Sequence, residues 1–155
     1  MRLQKPLCRN QTECKTVGQA TSAEGGSLVT MVAIISASGT AVPPFLVFPR
    51  VHFKGHMLHN APPGSGGGAT TSGWTNSELF LPVLQHFLKH ERPTKENPML
   101  MILGDHESHT SIAAISYAKE NGIILLTLPP HTSRKLQPLD VGVVAPFKMF
   151  YNTAR

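Results

Sequence analysis

Acidic residues are few in this chain, and two of them follow predicted strands. There are nine Asp and Glu residues among 155. A short apolar run over residues 99–103 leads directly into Gly104 and Asp105, and Asp140 lies beyond the next predicted strand, within LQPLDVG. Side chains just past the C-terminal ends of parallel strands meet at one edge of a sheet, where α/β proteins usually place their active sites. Asp105 and Asp140 are therefore candidate ligands for Mg²⁺, which prefers oxygen ligands.

The same two carboxylates also fit a structural interpretation. Two-metal phosphoryl transfer holds two ions roughly 4 Å apart and needs several carboxylates at once, and one or two acids such as Asp105 and Asp140 are seldom sufficient. Asp105 could instead cap the helix after it, and Asp140 could cap a turn. Spacing alone favours the capping interpretation.

Histidines offer a weaker metal hypothesis. His106 and His109 are three residues apart, a spacing that puts two zinc ligands on one helical face. They precede the predicted helix, however, and no thiolate or further clustered His accompanies them, which disfavours zinc. Three other histidines flank a Gly-rich stretch and are predicted to be solvated: His52, His56 and His59.

Charge and one aromatic residue bear on the partner. The formal net charge is +5 and the sequence pI is about 9.5, which favours an anionic partner but also fits an ordinary basic protein. Trp74 is the only tryptophan. It could stack on a nucleobase, but we expect it to be a core anchor ahead of the following helix.

The rest of the composition indicates one folded, intracellular domain. Apolar residues make up 41% of the chain, enough for a single core. Cys8 and Cys14 have no second Cys pair to complete a zinc ribbon, so we expect reduced thiols. No apolar stretch reaches the roughly 18 to 20 residues of a membrane span, and the N-terminus lacks the apolar centre of a signal peptide.

The positioning elements can be predicted from periodicity. Residues 27–37 and 42–48 are rich in strand formers and flank a Ser-Gly-Thr turn, which predicts a hairpin. Pro43 and Pro44 cannot donate ladder hydrogen bonds, so the second strand should start late or lie at a sheet edge. Residues 51–73 predict a mobile surface loop, with its Gly-rich part at 60–73.

Helices and buried strands alternate in the second half. Thr75 and Glu78 predict a capping box for a helix whose apolar face ends near Leu88, with Pro82 kinking it or delaying its start. Residues 99–103 and 123–128 predict buried strands. Between them, residues 111–121 predict a helix with three inward side chains, Ile112, Ile115 and Ala118. The last segment is predicted helical from Pro146, and strands linked through helices imply an α/β fold with parallel pairing.

Four segments in the same order resemble one known family. They are residues 16–30 (TVGQATSAEGGSLVT), 42–50 (VPPFLVFPR), 99–109 (MLMILGDHESH) and 128–148 (LPPHTSRKLQPLDVGVVAPFK). Together they resemble the DDE superfamily endonuclease domain of pogo, Tigger, jerky and centromere-protein-B-like transposases. The last segment is long enough to be highly specific.

The resemblance implies a ribonuclease-H-like mixed sheet with flanking helices, and three acids that bind two Mg²⁺ ions. Asp140 matches the third acid of the family. At the second acid the family has Leu-Asp, whereas this chain has Gly104 in that place and Asp105 one position later. If the strand persists this far, such a shift turns the carboxylate away from the metals, because successive strand residues point to opposite faces.

The first acid and its central strand are expected upstream of this chain. Residues 1–20 then correspond to the loop region after that missing strand, and residues 21–155 to a partial DDE domain. The family's helix-turn-helix region is also not found in the sequence. We therefore expect a transposase-derived domain that ancestrally cut DNA and joined strands with Mg²⁺, and that is catalytically incomplete here.

Partners and compartment follow from the same resemblance. DNA is the expected partner, in the nucleus, with no membrane and no small-molecule substrate, and a homodimer remains open. Three basic residues are candidate phosphate contacts, Arg134, Lys135 and Lys148. The alternative is a non-catalytic DNA-binding or scaffolding module domesticated from a transposase.

Overall fold

The computed structural model describes residues 29–104 and 111–153, without the side chains of residues 133 and 134. The predicted loop at residues 1–20 lies outside these ranges. The strands are β1 (Thr30–Ile35), β2 (Ala41–Pro49), β3 (Gly66–Thr70), β4 (Met99–Leu103) and β5 (Ile123–Thr127). The helices are α1 (Ser77–His90), α2 (Ile112–Glu120), α3 (Ser133–Leu136), α4 (Pro138–Gly142) and α5 (Val144–Thr153), with a 3₁₀ turn at Gly55–Leu58.

The predicted hairpin is present, but its prolines do not push β2 to an edge. β2 is the middle strand of a three-stranded sheet ordered β1-β2-β3, and it begins at Ala41, before both prolines. The antiparallel register shifts between Val32 and Ile34, which pair with Phe45 and Val42. Pro43 and Pro44 therefore lie opposite a single β1 residue in a bulge, where ladder bonds are interrupted anyway. The prediction of a late or edge strand was wrong for this reason.

The Gly-rich stretch contains a strand where a loop was predicted. β3 runs parallel to β2, with Phe45 opposite Gly66 and Pro49 opposite Thr70. A Cβ atom on Gly66 would come within 2.6 Å of the His86 ring, and one on Gly68 within 2.7 Å of Leu79. These glycines let neighbouring side chains pack directly against the β3 backbone, so burial of the neighbours compensates for the ordering of the glycines.

Helix α1 supplies much of the core. Its N-cap is Asn76, whose side-chain oxygen accepts a 3.0 Å bond from the Leu79 amide, one position after the predicted Thr75 cap. Pro82 lies inside the helix and does not delay its start. The predicted apolar face is confirmed, and the buried hydrophobic set of the described residues is Phe45, Val47, Phe80, Val83, Leu84, Phe87, Ala114, Ala118 and Ile123.

The second sheet has two strands. β4 and β5 pair in parallel, from Met99 opposite Ile123 to Leu103 opposite Thr127, as the helix between them predicted. α2 is capped by Ser111 and buries Ala114 and Ala118. The predicted inward positions of Ile112 and Ile115 were wrong, since Ile112 is 84% exposed and Ile115 also exposed.

The mixed α/β class is confirmed, but the strands form two sheets rather than one. α1 packs against β2, β3 and α2, and so connects the two sheets. The C-terminal helices follow, with α5 packing mainly on α4, and α5 begins two residues before the predicted Pro146. In the part of the chain that the structure describes, no helix has the length and apolarity to cross a bilayer.

Candidate functional site

The C-terminal end of β4 lies against the segment that leads into α4. The Leu128 amide donates to the Leu103 carbonyl at 2.9 Å, so β5 ends beside β4. A Cβ atom on Gly104 would lie 3.0 Å from the Oε1 atom of Gln137, the residue at which α4 begins. The fold therefore brings the start of the 104–105 segment next to the helix that carries Asp140.

Asp140 is an exposed residue in the first turn of α4. Pro138 occupies the start of the helix, where its missing N–H leaves no bond unmade. The N-cap position of α4 is Gln137, whose side chain makes no capping hydrogen bond. Asp140 lies inside the helix and does not occupy the cap position, so the turn-capping alternative for Asp140 is not found in this form.

β4 ends at Leu103, before Gly104. Side chains therefore do not alternate between strand faces beyond Leu103. The predicted turning of Asp105 away from the metals was conditional on a continuing strand. Asp105 itself, with His106 and His109, lies outside the described residues. The structure therefore leaves the predicted metal and catalytic role of Asp105 as a prediction.

The basic candidates are spread over the C-terminal helices. Lys135 lies in α3 and Lys148 in α5, and both are exposed. Arg134 lies in α3, but its side chain is outside the described atoms. Exposure is compatible with phosphate contacts and equally with solvated surface.

The described residues do not by themselves fit a two-ion magnesium centre. No three His, Cys, Asp or Glu side chains within 29–104 and 111–153 are grouped closely enough to hold a metal ion. At the β4–α4 edge these residues supply one carboxylate, that of Asp140.

Sequence reasoning missed two features of the site and its surroundings. Gln137 approaches Gly104, and its position three residues before Asp140, within the LQPLD segment that carries the resemblance, was the available signal. His86 is buried at 4% exposure and its Nε2–H donates to the Pro43 carbonyl at 2.7 Å. Trp74 was expected in the core, but it is 56% exposed.

Comparison with known proteins identifies the family. The DDE superfamily endonuclease family matches residues 27–154, which is most of the chain. The chain belongs to this family. Its members are endonucleases that generally use divalent metals.

One curated relative is similar over most of the chain. A protein of Cochliobolus lunatus named "MFS-type transporter clz9" is 35% identical over 136 residues, which is 86% of this chain. This chain spans 15% of that relative's length. No solved structure matches the chain.

Proposed function

We propose that the chain is a ribonuclease-H-like DDE domain of the pogo, Tigger and jerky type that binds DNA in the nucleus but does not cut it alone. The observation that supports the proposal is the β4–α4 edge, where Asp140 is the one carboxylate among the described residues. By the resemblance, Gly104 stands where the family has its second acid. Ancestrally this edge held Mg²⁺ for DNA cleavage and strand transfer.

Asp140 is the proposed metal ligand at this edge, and Asp105 the second. When bound, Mg²⁺ would stabilise charge on the phosphate oxygens of DNA. A single Mg²⁺ ion is commonly held by one or two carboxylates and several waters, but a two-ion centre needs more carboxylates than Asp105 and Asp140 supply. This shortage of protein ligands is the physical reason for expecting no cleavage.

Phosphate contacts are proposed for Arg134, Lys135 and Lys148. They belong to α3 and α5, the helices on either side of the α4 helix that carries Asp140. Cations flanking a metal site would hold the DNA backbone near it and make affinity fall steeply with salt. A homodimer is compatible with this arrangement. The transport named for the relative is not carried over, because this chain matches only 15% of that protein.

A nicking assay tests the proposal. Supercoiled plasmid is incubated with the purified chain in Mg²⁺, in Mn²⁺ and in EDTA, with Asp140→Ala as the matched control. We expect the same low background from both proteins under all three conditions. Metal-dependent cleavage that is abolished by Asp140→Ala would overturn the incomplete-site proposal.

The second candidate function is a non-catalytic DNA-binding or scaffolding module. It is favoured by the exposed Trp74 and by the absence of Asp and Glu between Glu24 and Glu78. Steeply salt-dependent DNA binding by both the chain and Asp140→Ala, without nicking, would favour it. No binding by either protein would count against it.

A further inference from the structure

The connection between β2 and β3 carries exposed cations. We call residues 50–59 (RVHFKGHMLH) the basic connection. Its five basic side chains are all exposed: Arg50, His52, Lys54, His56 and His59. No acid occurs in the sequence from Gly25 to Ser77, so no carboxylate within this stretch offsets their charge. With His counted as neutral, the stretch from Gly25 to Ser77 contains two cations, Arg50 and Lys54, and no acid, so its net charge is +2.

Apolar contacts hold the basic connection against the sheet. The Phe53 ring lies 6.2 Å from the Phe48 ring, centroid to centroid. Phe53 also lies over Gly67, where a Cβ atom would come within 2.5 Å of the phenyl ring and 3.3 Å of Leu58. Because Phe53 and Leu58 anchor the connection, its cations are presented from a defined position and not from a free loop.

Trp74 is held at the same end of the sheet. The Arg50 amide donates to the Thr70 carbonyl at 3.0 Å, where β2 and β3 both end. The Thr70 hydroxyl then donates to the Trp74 carbonyl at 2.9 Å, and the Trp74 amide donates to the Ser72 hydroxyl at 3.2 Å. The backbone of Trp74 is thus fixed while its indole is 56% exposed.

A small cavity of about 200 Å³ brings Arg50 and His56 together, above Phe48 and Met57. This volume is below the roughly 300–1,000 Å³ of small-molecule sites. Cations around apolar surface and an exposed aromatic ring are instead the combination used to bind single-stranded nucleic acid: cations follow the phosphates and rings stack on bases. Duplex bases already stack on each other, so an indole gains this contact only with unpaired bases.

We propose that the basic connection and Trp74 form a contact surface for single-stranded DNA. Trp74 stacks on an unpaired base, and Arg50 and Lys54 contact the flanking phosphates. The surface is built on the three-stranded sheet, whereas Asp140 follows the two-stranded one. The inference rests on the proposed function only in taking DNA as the partner.

The single tryptophan makes the contact directly observable. The full chain is titrated with an oligothymidylate while indole emission is recorded, and a fluorescein-labelled copy reports binding by anisotropy. We expect saturable quenching with the same midpoint as the anisotropy change. A duplex of equal length should bind with little quenching. DNA binding that leaves the emission unchanged, or equal quenching by the duplex, overturns the inference.

Two substitutions of Trp74 and two double substitutions of cations test where the DNA is bound. Trp74→Ala should weaken oligothymidylate binding roughly 5- to 150-fold, the equivalent of one stacked base, and Trp74→Phe should restore most of it. Arg50→Gln with Lys54→Gln should reduce affinity and the salt slope. The matched control is Arg92→Gln with Lys95→Gln, two exposed cations between α1 and β4, and equal losses in both pairs overturn the inference.

The outcomes separate this inference from the proposed function. Quenching together with nicking that depends on Asp140 would overturn the incomplete-site proposal and support the surface. Binding without quenching would overturn the surface and leave the DNA partner supported. Absence of any DNA binding would overturn both.

Discussion

At Gly66, β3 packs so closely against buried side chains that there is no room for a Cβ atom. A Cβ atom there would lie 2.6 Å from His86 Nδ1 and 2.7 Å from Phe45 Cδ2, and both of these side chains are buried. Neither neighbour can move without disturbing the core, because His86 is bonded to the Pro43 carbonyl. The position therefore selects against even one methyl group.

Gly66→Ala should destabilise the chain by about 1–3 kcal/mol, the usual range for overpacking. The measurement is urea unfolding followed by circular dichroism. Gly55→Ala is the matched control, because a Cβ atom at Gly55 meets nothing within 4 Å, and its effect should stay within about 0.5 kcal/mol. Equal losses in the two variants would contradict the packing described for β3.

Gly104→Asp would place a carboxylate at the position proposed above for the family's second acid. The new side chain would start 3.0 Å from the Gln137 Oε1 atom, the flexible end of a side chain, so it can be accommodated. We expect Mn²⁺ to stabilise this variant against heat, by about 2.7 kcal/mol at 100 times the Kd. Wild type should show little effect.

Two variants control that experiment. Gly104→Ala introduces the Cβ atom without a ligand and should show no metal effect. Gly104→Asp combined with Asp140→Asn should lose the stabilisation, because the double variant has no more carboxylates at this edge than the wild type, which is expected to show little effect. If the double variant keeps it, the ion binds elsewhere.

At the scale of single elements, two neighbouring residues are candidates for the N-cap of α1, Thr75 and Asn76. The sequence pattern favoured Thr75, but the side chain that accepts the Leu79 amide is Asn76. Asn76→Ala should cost about 0.5–2 kcal/mol, and Asn76→Ser should recover most of it. Thr75→Ala should cost less than Asn76→Ala in the same thermal unfolding experiment. The reverse order would mean that the capping box is the true cap.

β5 offers a test of which sheet face is covered. Ile123 is 4% exposed and belongs to the core, whereas Ile124 is 53% exposed on the opposite face. Ile123→Ala should destabilise by about 2–5 kcal/mol. Ile124→Ala makes the same chemical change and should cost about 1 kcal/mol or less, because folding buries less of the Ile124 side chain than of the Ile123 side chain. Similar values would indicate that the outer face is covered in solution.

For the whole molecule, the elements with strong periodicity could be predicted from sequence, and those that depend on neighbours could not. The periodic apolar residues of α1 and the short apolar run of β4 predict these two elements. β3 has no such pattern, because Gly66 to Gly68 have no side chains and become a strand only through what packs on them. The approach of Gln137 to Gly104 is also non-local. The segments that contain Gly104 and Asp140 could therefore be predicted from the sequence, but not how they lie relative to each other.

The position of α1 between the two sheets also has a consequence for exchange with solvent. Because α1 contacts β2, β3 and α2, its inner turns cannot open without separating the sheets, so their amides should exchange with deuterium only through global unfolding. The amides of α5, which has no buried residue, should exchange through local fraying, orders of magnitude sooner. Mass spectrometry of peptides from a deuterium time course would resolve the two classes. Equal rates in α1 and α5 would mean that the sheets open independently.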